Sequence, residues 1–276
     1  MSAFPYLGRI APTPTGYLHA GHALTFRTAF ERARAAGGAV LLRIEDLDPR
    51  RCKPEYTQAV LDDLRWLGIE WTGELVFQSA RRDVYLAAWR RLRDGGFLYP
   101  CARSRKDVAE VALAPHEEEP VFPPAWRTPV EEAFSWDDPK GIHWRFRVPD
   151  GETISFVDGA AGPVAKVAGI DFGDFRVWNQ DDIPAYELAV VADDAAQGIT
   201  EVVRGADLLA STCRQILVYR ALGWTPPAFY HAPLVMDASG KRLAKRDAAR
   251  TLRALREAGV SPAEVLVQAA SAAGRC

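Results

Sequence analysis

Sulfur is scarce in this chain, with four cysteines and two methionines among 276 residues. Cys52, Cys101, Cys213 and Cys276 are scattered, and none forms a Cys-x-x-Cys pair. That argues against a disulfide framework at this size and for a reducing compartment. No run of about 18 apolar residues is present, so no segment is long enough to span a bilayer as a helix. The first ten residues lack a basic stretch followed by an apolar core, so a signal peptide is not expected. Charge of one sign is also missing. Lys and Arg total 34 against 36 Asp and Glu, a net charge of −2. Bulk charge therefore cannot hold nucleic acid, although a local basic face remains open. There is no internal repeat and no low-complexity tract. With 48% hydrophobic and 25% charged residues, a disordered tail, a coiled coil and a collagen-like rod are excluded. The expectation is a cytoplasmic α/β enzyme. The eight tryptophans predict a sizeable core to bury them.

Leu7 to Ile10 is a short apolar strand, broken by Ala11-Pro12-Thr13-Pro14-Thr15-Gly16. His19 to about Ala36 has helical spacing, with Leu24, Phe26, Ala29, Phe30 and Ala33 on one face, and Gly37-Gly38 ends it. Ala39 to Ile44 is a continuous apolar run, as in a strand covered on both faces. Strand, helix, strand makes a βαβ unit and implies a parallel sheet. Helices are predicted over Pro54 to Leu67, Arg81 to Asp94 and Thr212 to Leu222, and over most of the chain after Ala249. Antiparallel strands are predicted at His143 to Val148, Thr153 to Val157 and Gly173 to Trp178, and a buried strand at Tyr186 to Val191. Between Val108 and Asp138, repeated prolines and the run Glu117-Glu118-Glu119 predict an insertion with few regular elements.

Two segments carry chemistry. His19-Ala20-Gly21-His22 stands where a strand feeds a helix, and backbone N–H groups at a helix start attract anions. Gly21 permits a close approach, and imidazole N–H groups can stabilise charge building on a phosphate. The competing reading is a pair of solvated histidines. Asp237-Ala238-Ser239-Gly240-Lys241-Arg242-Leu243-Ala244-Lys245-Arg246 crowds four cations onto a glycine-bearing loop. Such a loop can close on a polyphosphate, or simply be a solvated basic loop.

In this order on a parallel sheet, the two segments resemble class I aminoacyl-tRNA synthetases. The segments Arg9 to His19, Leu42-Arg43-Ile44-Glu45-Asp46-Leu47-Asp48, Trp66-Leu67-Gly68-Ile69, Gln78-Ser79 and Arg204-Gly205-Ala206-Asp207-Leu208-Leu209 are similar to glutamyl-tRNA synthetases, from about Arg9 to Lys245. Only residues 247–276 follow the lysine loop, which is too short for a usual anticodon-binding domain. This layout, and the stretch Asp193 to Gly205, resemble the glutamyl-queuosine tRNA(Asp) synthetase family. The resemblance implies a Rossmann-type parallel sheet with an inserted smaller α+β subdomain on the acceptor side and no anticodon-binding domain. The implied boundaries are a first catalytic half at 1–98, the insertion at 99–180, a second half with the lysine loop at 181–246, and a helical extension at 247–276.

The same resemblance implies that Arg9, Ala11, Thr13, Glu45, Tyr186 and Arg204 bind glutamate. The residue types suit it: guanidinium groups pair with carboxylates, Glu45 with the ammonium, and a phenol adds a polar contact. An arginine facing an uncharged amide loses its ion pair, so glutamine is rejected. Pro12, His19, Gly21, His22, Arg242, Leu243 and Lys245 are implied for ATP, which arrives with Mg2+, and His19, His22 and Lys245 are the implied catalytic groups. Cys52, Cys101 and Cys213 are expected to be bystanders. The implied acceptor is the tRNA(Asp) anticodon stem-loop, and a monomer with no membrane partner is expected. Arg103, Arg105 and Lys106 could touch tRNA or form a solvated helix start.

Two departures stand out. The family usually holds zinc through Cys-x-Cys and a later Tyr and Cys. Here those positions read Cys101-Ala102-Arg103 and Phe122-Pro123-Pro124-Ala125-Trp126-Arg127. One thiolate cannot fill a tetrahedral site, even with His116, so no structural zinc is expected, and Phe122 and Trp126 are expected to pack the insertion instead. In the lysine loop, Ala244 replaces the usual Ser and Arg242 the usual Lys, which predicts slower activation. Two other readings stay open: a catalytically weak paralogue that binds tRNA or glutamate as a regulator, and a glutamate ligase with a non-tRNA acceptor.

Overall fold

The computed structural model of the chain describes residues 5–103, 107, 121–236 and 251–273. Three strands, β1 (Leu7–Ile10), β2 (Ala39–Ile44) and β3 (Val76–Phe77), form a parallel sheet in that order. Helix α1 (Ala20–Ala35) makes the crossover from β1 to β2, burying Ala23, Phe26, Ala29 and Ala33. Helix α2 (Pro54–Trp66) follows, with its proline in the first turn, and helix α3 (Arg82–Asp94) comes after β3. On the other side of β1 lies β9 (Glu201–Gly205), where the Thr200 N–H donates to the Leu7 carbonyl at 2.8 Å. Strand β10 (Ala228–Ala232) pairs parallel with β9. The parallel pair β9 and β10 thus abuts the β1 edge without joining its ladder, and the order of strands turns back at the crevice between them. In open α/β sheets ligands bind beyond the carboxyl ends of strands at such a switch point.

The insertion supplies an antiparallel sheet of β4 (Leu98–Cys101), β5 (His143–Phe146) and β8 (Phe175–Trp178). It also supplies the hairpin β6 (Thr153–Asp158) and β7 (Gly162–Val167). The hairpin does not join the other insertion strands. Its strand β6 runs parallel to β10 and meets it at Asp158 and Phe229, so the catalytic sheet is extended by inserted chain. Trp89, Trp144 and Trp178 are wholly buried in one core that α3, β5 and β8 share with helices α4 (Tyr186–Gln197) and α5 (Leu209–Ala221). Helices α6 (Leu252–Glu257) and α7 (Pro262–Ala273) close the described chain, α7 against α1. Among the described residues no helix is long and apolar enough to cross a membrane.

Two corrections to the sequence reading have separate causes. Tyr186 to Val191, expected as a strand, is the first half of α4. Residues Leu188 to Ala192 are all buried against α3, α5 and β8, and a helix covered on every side shows no 3.6-residue stripe. Strands β9 and β10 were not expected, because Glu201, Arg204, Tyr230 and His231 interrupt their apolar character. At the position of the family's zinc site, Tyr99, Cys101 and Phe122 are buried together with Trp126 against them. The Arg145 guanidinium lies 4.1 Å from the Phe122 ring centre and that of Arg103 lies 4.8 Å from Trp126. This apolar and cationic packing, with one thiol, does not fit zinc, and the described residues include no cluster of three or more His, Cys, Asp or Glu able to hold a metal ion.

Candidate active site

A cleft of about 360 Å³ opens at the carboxyl ends of β1 and β9 and the start of α1. Arg9, Ala11, Pro12, Thr13, His19, Gly21, His22, Glu45, Tyr186 and Arg204 all line it, so the structure brings together every sequence-derived site residue within the described chain. Lys245, Arg242 and Leu243, with Ala244, lie outside the described residues, as do His116, Arg105 and Lys106. The lining also includes Gly205, Asp207 and Leu208 from the quoted Arg204 to Leu209 run, Phe26 from the buried face of α1, and Thr25, Val203 and the segment Pro233 to Val235, which the sequence reading did not single out.

The two histidines are built into the helix start. The His19 Nδ1 accepts from the Gly21 N–H at 3.1 Å, and the His22 Nδ1 accepts from the His19 N–H at 3.2 Å. Each Nδ1 is therefore a lone-pair acceptor, which puts the ring proton of the neutral imidazole on Nε2. The rings lie 3.8 Å apart between centres. A Cβ on Gly21 would stand 3.0 Å from the His19 ring, so an alanine there would press on that ring and shift it by a few tenths of an ångström.

On the opposite side, Arg9 comes from β1 and Glu45 from the residue after β2. Arg9 donates to the Val203 carbonyl at 3.0 Å and lies 3.4 Å from Asp194. Arg43, fully buried, donates to Asp194 at 2.7 Å, faces Asp193 at 3.6 Å and reaches Glu45 at 3.4 Å. Burial works against the Arg43 cation, but these three carboxylates override it and hold its pKa above the usual range. Burial also pushes the Glu45 carboxyl up, against the pull of Arg43 and Arg9. Asp193 accepts from Gln78, Arg81 and Tyr85, so α3 and α4 are tied behind the cleft. Adjacent acids in the buried stretch Glu187 to Asp194 were a readable signal for such cations.

Arg204, at the end of β9, differs from the other two arginines. It is 5% exposed, yet it touches no carboxylate among the described residues. Its Nε donates to His231 Nε2 at 3.1 Å, Nη2 to the Thr212 hydroxyl at 2.8 Å and Nη1 to the Tyr186 phenol at 3.3 Å. All three partners are uncharged or titrate as neutral groups. One N–H on each terminal nitrogen is left over, which is the fork that grips a carboxylate. The Tyr186 side of the cleft is open, with that residue 36% exposed, while surrounding protein pushes its phenol pKa up by desolvation.

Known proteins resemble this chain over most of its length. Residues 7–273 match the family described as tRNA synthetases class I (E and Q), catalytic domain. A curated relative from Nitratidesulfovibrio vulgaris, named Glutamyl-Q tRNA(Asp) synthetase, is 44% identical over 97% of this chain and 86% of its own. One of the same name from Symbiobacterium thermophilum is 47% identical over 94% of this chain and 84% of its own. Among solved structures, a glutamate tRNA ligase from Elizabethkingia meningosepticum, in complex with its amino acid, superposes with a TM-score of 0.75 at 28% identity. It matches 88% of this chain, which spans about half, 52%, of that longer protein.

Proposed function

The chain belongs to the class I tRNA synthetases of the glutamate and glutamine branch, among the glutamyl-Q tRNA(Asp) synthetases, and from that premise we propose that it joins glutamate to ATP as glutamyl-adenylate and passes the glutamyl group to queuosine in the anticodon stem-loop of tRNA(Asp). It is a ligase. The observation that carries the glutamate assignment is Arg204, a buried guanidinium with only uncharged partners and two N–H groups to spare. A buried cation whose hydrogen-bond partners are all uncharged is costly even with the Glu187 carboxylate acting on it from further away, and a substrate carboxylate touching it repays that cost. Glu45, beside Arg9 and Arg43, then receives the ammonium, with Ala11 and Thr13 lining the same wall.

The α-carboxylate attacks the ATP α-phosphate, forming an acyl–phosphate bond and releasing pyrophosphate. Little covalent work falls to the protein, and positioning and charge stabilisation do most of it. We assign the Nε2–H groups of His19 and His22 to the phosphates, Pro12 and Gly21 to the wall against which the nucleotide lies, and Arg242, Leu243 and Lys245, through the family resemblance, to ATP, with Mg2+ arriving on ATP. The vicinal diol of queuosine then takes the glutamyl group and AMP leaves. A monomer working in the cytoplasm completes the proposed reading.

The test is transfer of labelled glutamate, with ATP and magnesium, to tRNA(Asp) that has or lacks queuosine. The expected result is label only on the queuosine-containing tRNA, abolished when periodate first cleaves the diol. Adenylate without transfer would remove the acceptor and keep the ligase. Neither product from folded protein would leave a tRNA- or glutamate-binding regulator.

A further inference from the structure

Behind Arg204 lies a buried chain of polar groups that none of the assigned steps uses. The His231 Nε2 is approached by two donors, the Arg204 Nε at 3.1 Å and the Thr212 hydroxyl at 3.2 Å. An arginine Nε always carries its hydrogen. The Thr212 oxygen already accepts from Arg204 Nη2 at 2.8 Å, which leaves its own O–H to donate. The His231 Nε2 must then be a bare lone pair, and the ring proton sits on Nδ1, where Asp158 Oδ2 waits at 2.6 Å. The other Asp158 oxygen is held by the backbone N–H groups of Ala160, Ala161 and His231 at 2.9, 2.8 and 3.3 Å. Asp158, His231, Arg204 and Thr212 are all buried.

We propose that Asp158 and His231 are positioning residues for glutamate binding: Asp158 fixes the neutral Nδ1–H tautomer of His231, whose Nε2 then aims the Arg204 guanidinium into the cleft. This rests on the reading of Arg204 as a glutamate ligand. The imidazole also acts as a spacer. An aspartate touching Arg204 directly would occupy the fork that the substrate carboxylate needs. With His231 between them, Asp158 sets direction while its charge stays a ring's width away. Desolvation, against the opposing pull of Asp158 and the Leu208 backbone, pushes the imidazole pKa below its usual range. Because Asp158 ends β6 and is held by the β6–β7 turn, the inserted hairpin helps to set the amino-acid pocket.

Two measurements test the proposal. In wild-type protein, 15N shifts of the His231 ring should show a protonated Nδ1 and a bare Nε2. An Nε2–H tautomer or an imidazolium would overturn it, whatever the enzyme's activity. In glutamate-dependent ATP–pyrophosphate exchange, Asp158→Asn presents an amide to Nδ1, flips the tautomer and sets an N–H against the Arg204 Nε. The glutamate KM should rise roughly tenfold or more, with the ATP KM and kcat within about twofold. His231→Gln, which can place an oxygen near the lost Nε2, should recover more glutamate affinity than His231→Met. Equal effects on glutamate and ATP, or no difference between Gln and Met, would mean that the cluster only holds the fold. If wild type shows no glutamate-dependent exchange, the glutamate reading fails, and the ring shifts alone decide the relay.

Discussion

A guanidinium that has lost its water and touches no carboxylate is poised for an anion, and this sets what substitution at Arg204 should do. Arg204→Gln removes the charge and the fork, so kcat/KM for glutamate should fall about a hundredfold or more, while the ATP KM changes little; exchange kinetics check this. Arg204→Lys should recover only part, since a point charge cannot grip both oxygens. Asp63 makes a second prediction. It is fully buried on α2, neither oxygen is hydrogen bonded, and Arg256 stands 3.5 Å away. Desolvation outweighs the pull of Arg256 and raises its pKa from 3.8 to about 6. The folded state therefore holds this proton more tightly than the unfolded chain. Stability from it is present below about pH 4 and is lost as pH rises through about 6. Asp63→Asn should raise the melting temperature at pH 8, by up to about 3 kcal/mol of stability, and give no gain near pH 4. A gain of equal size at both pH values would contradict this. Arg9, Glu45 and Arg204 could be read from sequence because they stand in recognisable runs. His231 and Asp158 could not, since their role arises from strands distant in sequence that meet only in the fold.

Helix α1 shows how an element carries function. Its cap is made by the two histidines proposed to meet the phosphates, so cap geometry and ring orientation are one feature. Gly21→Ala improves helix propensity by up to about 1 kcal/mol but places a Cβ against the His19 ring. The expected result is an unchanged or higher melting temperature with kcat lowered about tenfold, because the ring must shift; equal activity would contradict the close-approach argument. Elements with a simple periodic pattern, α1, α2 and α3, were readable from sequence. Helix α4, whose Glu187 to Asp194 are all buried, reads as a strand in sequence, and β9 and β10 do not read as strands because Glu201, Arg204, Tyr230 and His231 break their apolar run.

At the scale of the whole molecule, the parallel sheet and the insertion were readable from motif order, but their join was not. Strand β6 enters the catalytic sheet beside β10 through a single register pair, which no local pattern announces. The tryptophan core crosses the same join, so the insertion and the catalytic half should unfold together in one transition. The cluster of Tyr99, Cys101, Phe122 and Trp126 stands in for metal packing. Chelator should leave the melting temperature unchanged, whereas Phe122→Ala should cost about 3–5 kcal/mol. A melting temperature that falls on chelation would show a metal that this packing does not accommodate.

The central claim is that this cleft activates glutamate and rejects its amide. ATP–pyrophosphate exchange, measured with and without tRNA and with glutamate or glutamine in turn, tests it most directly. Exchange that depends on glutamate, with glutamine giving no more than background, is the predicted result. Equal exchange with both amino acids, or with neither, would contradict the account of Arg204 as the carboxylate's partner.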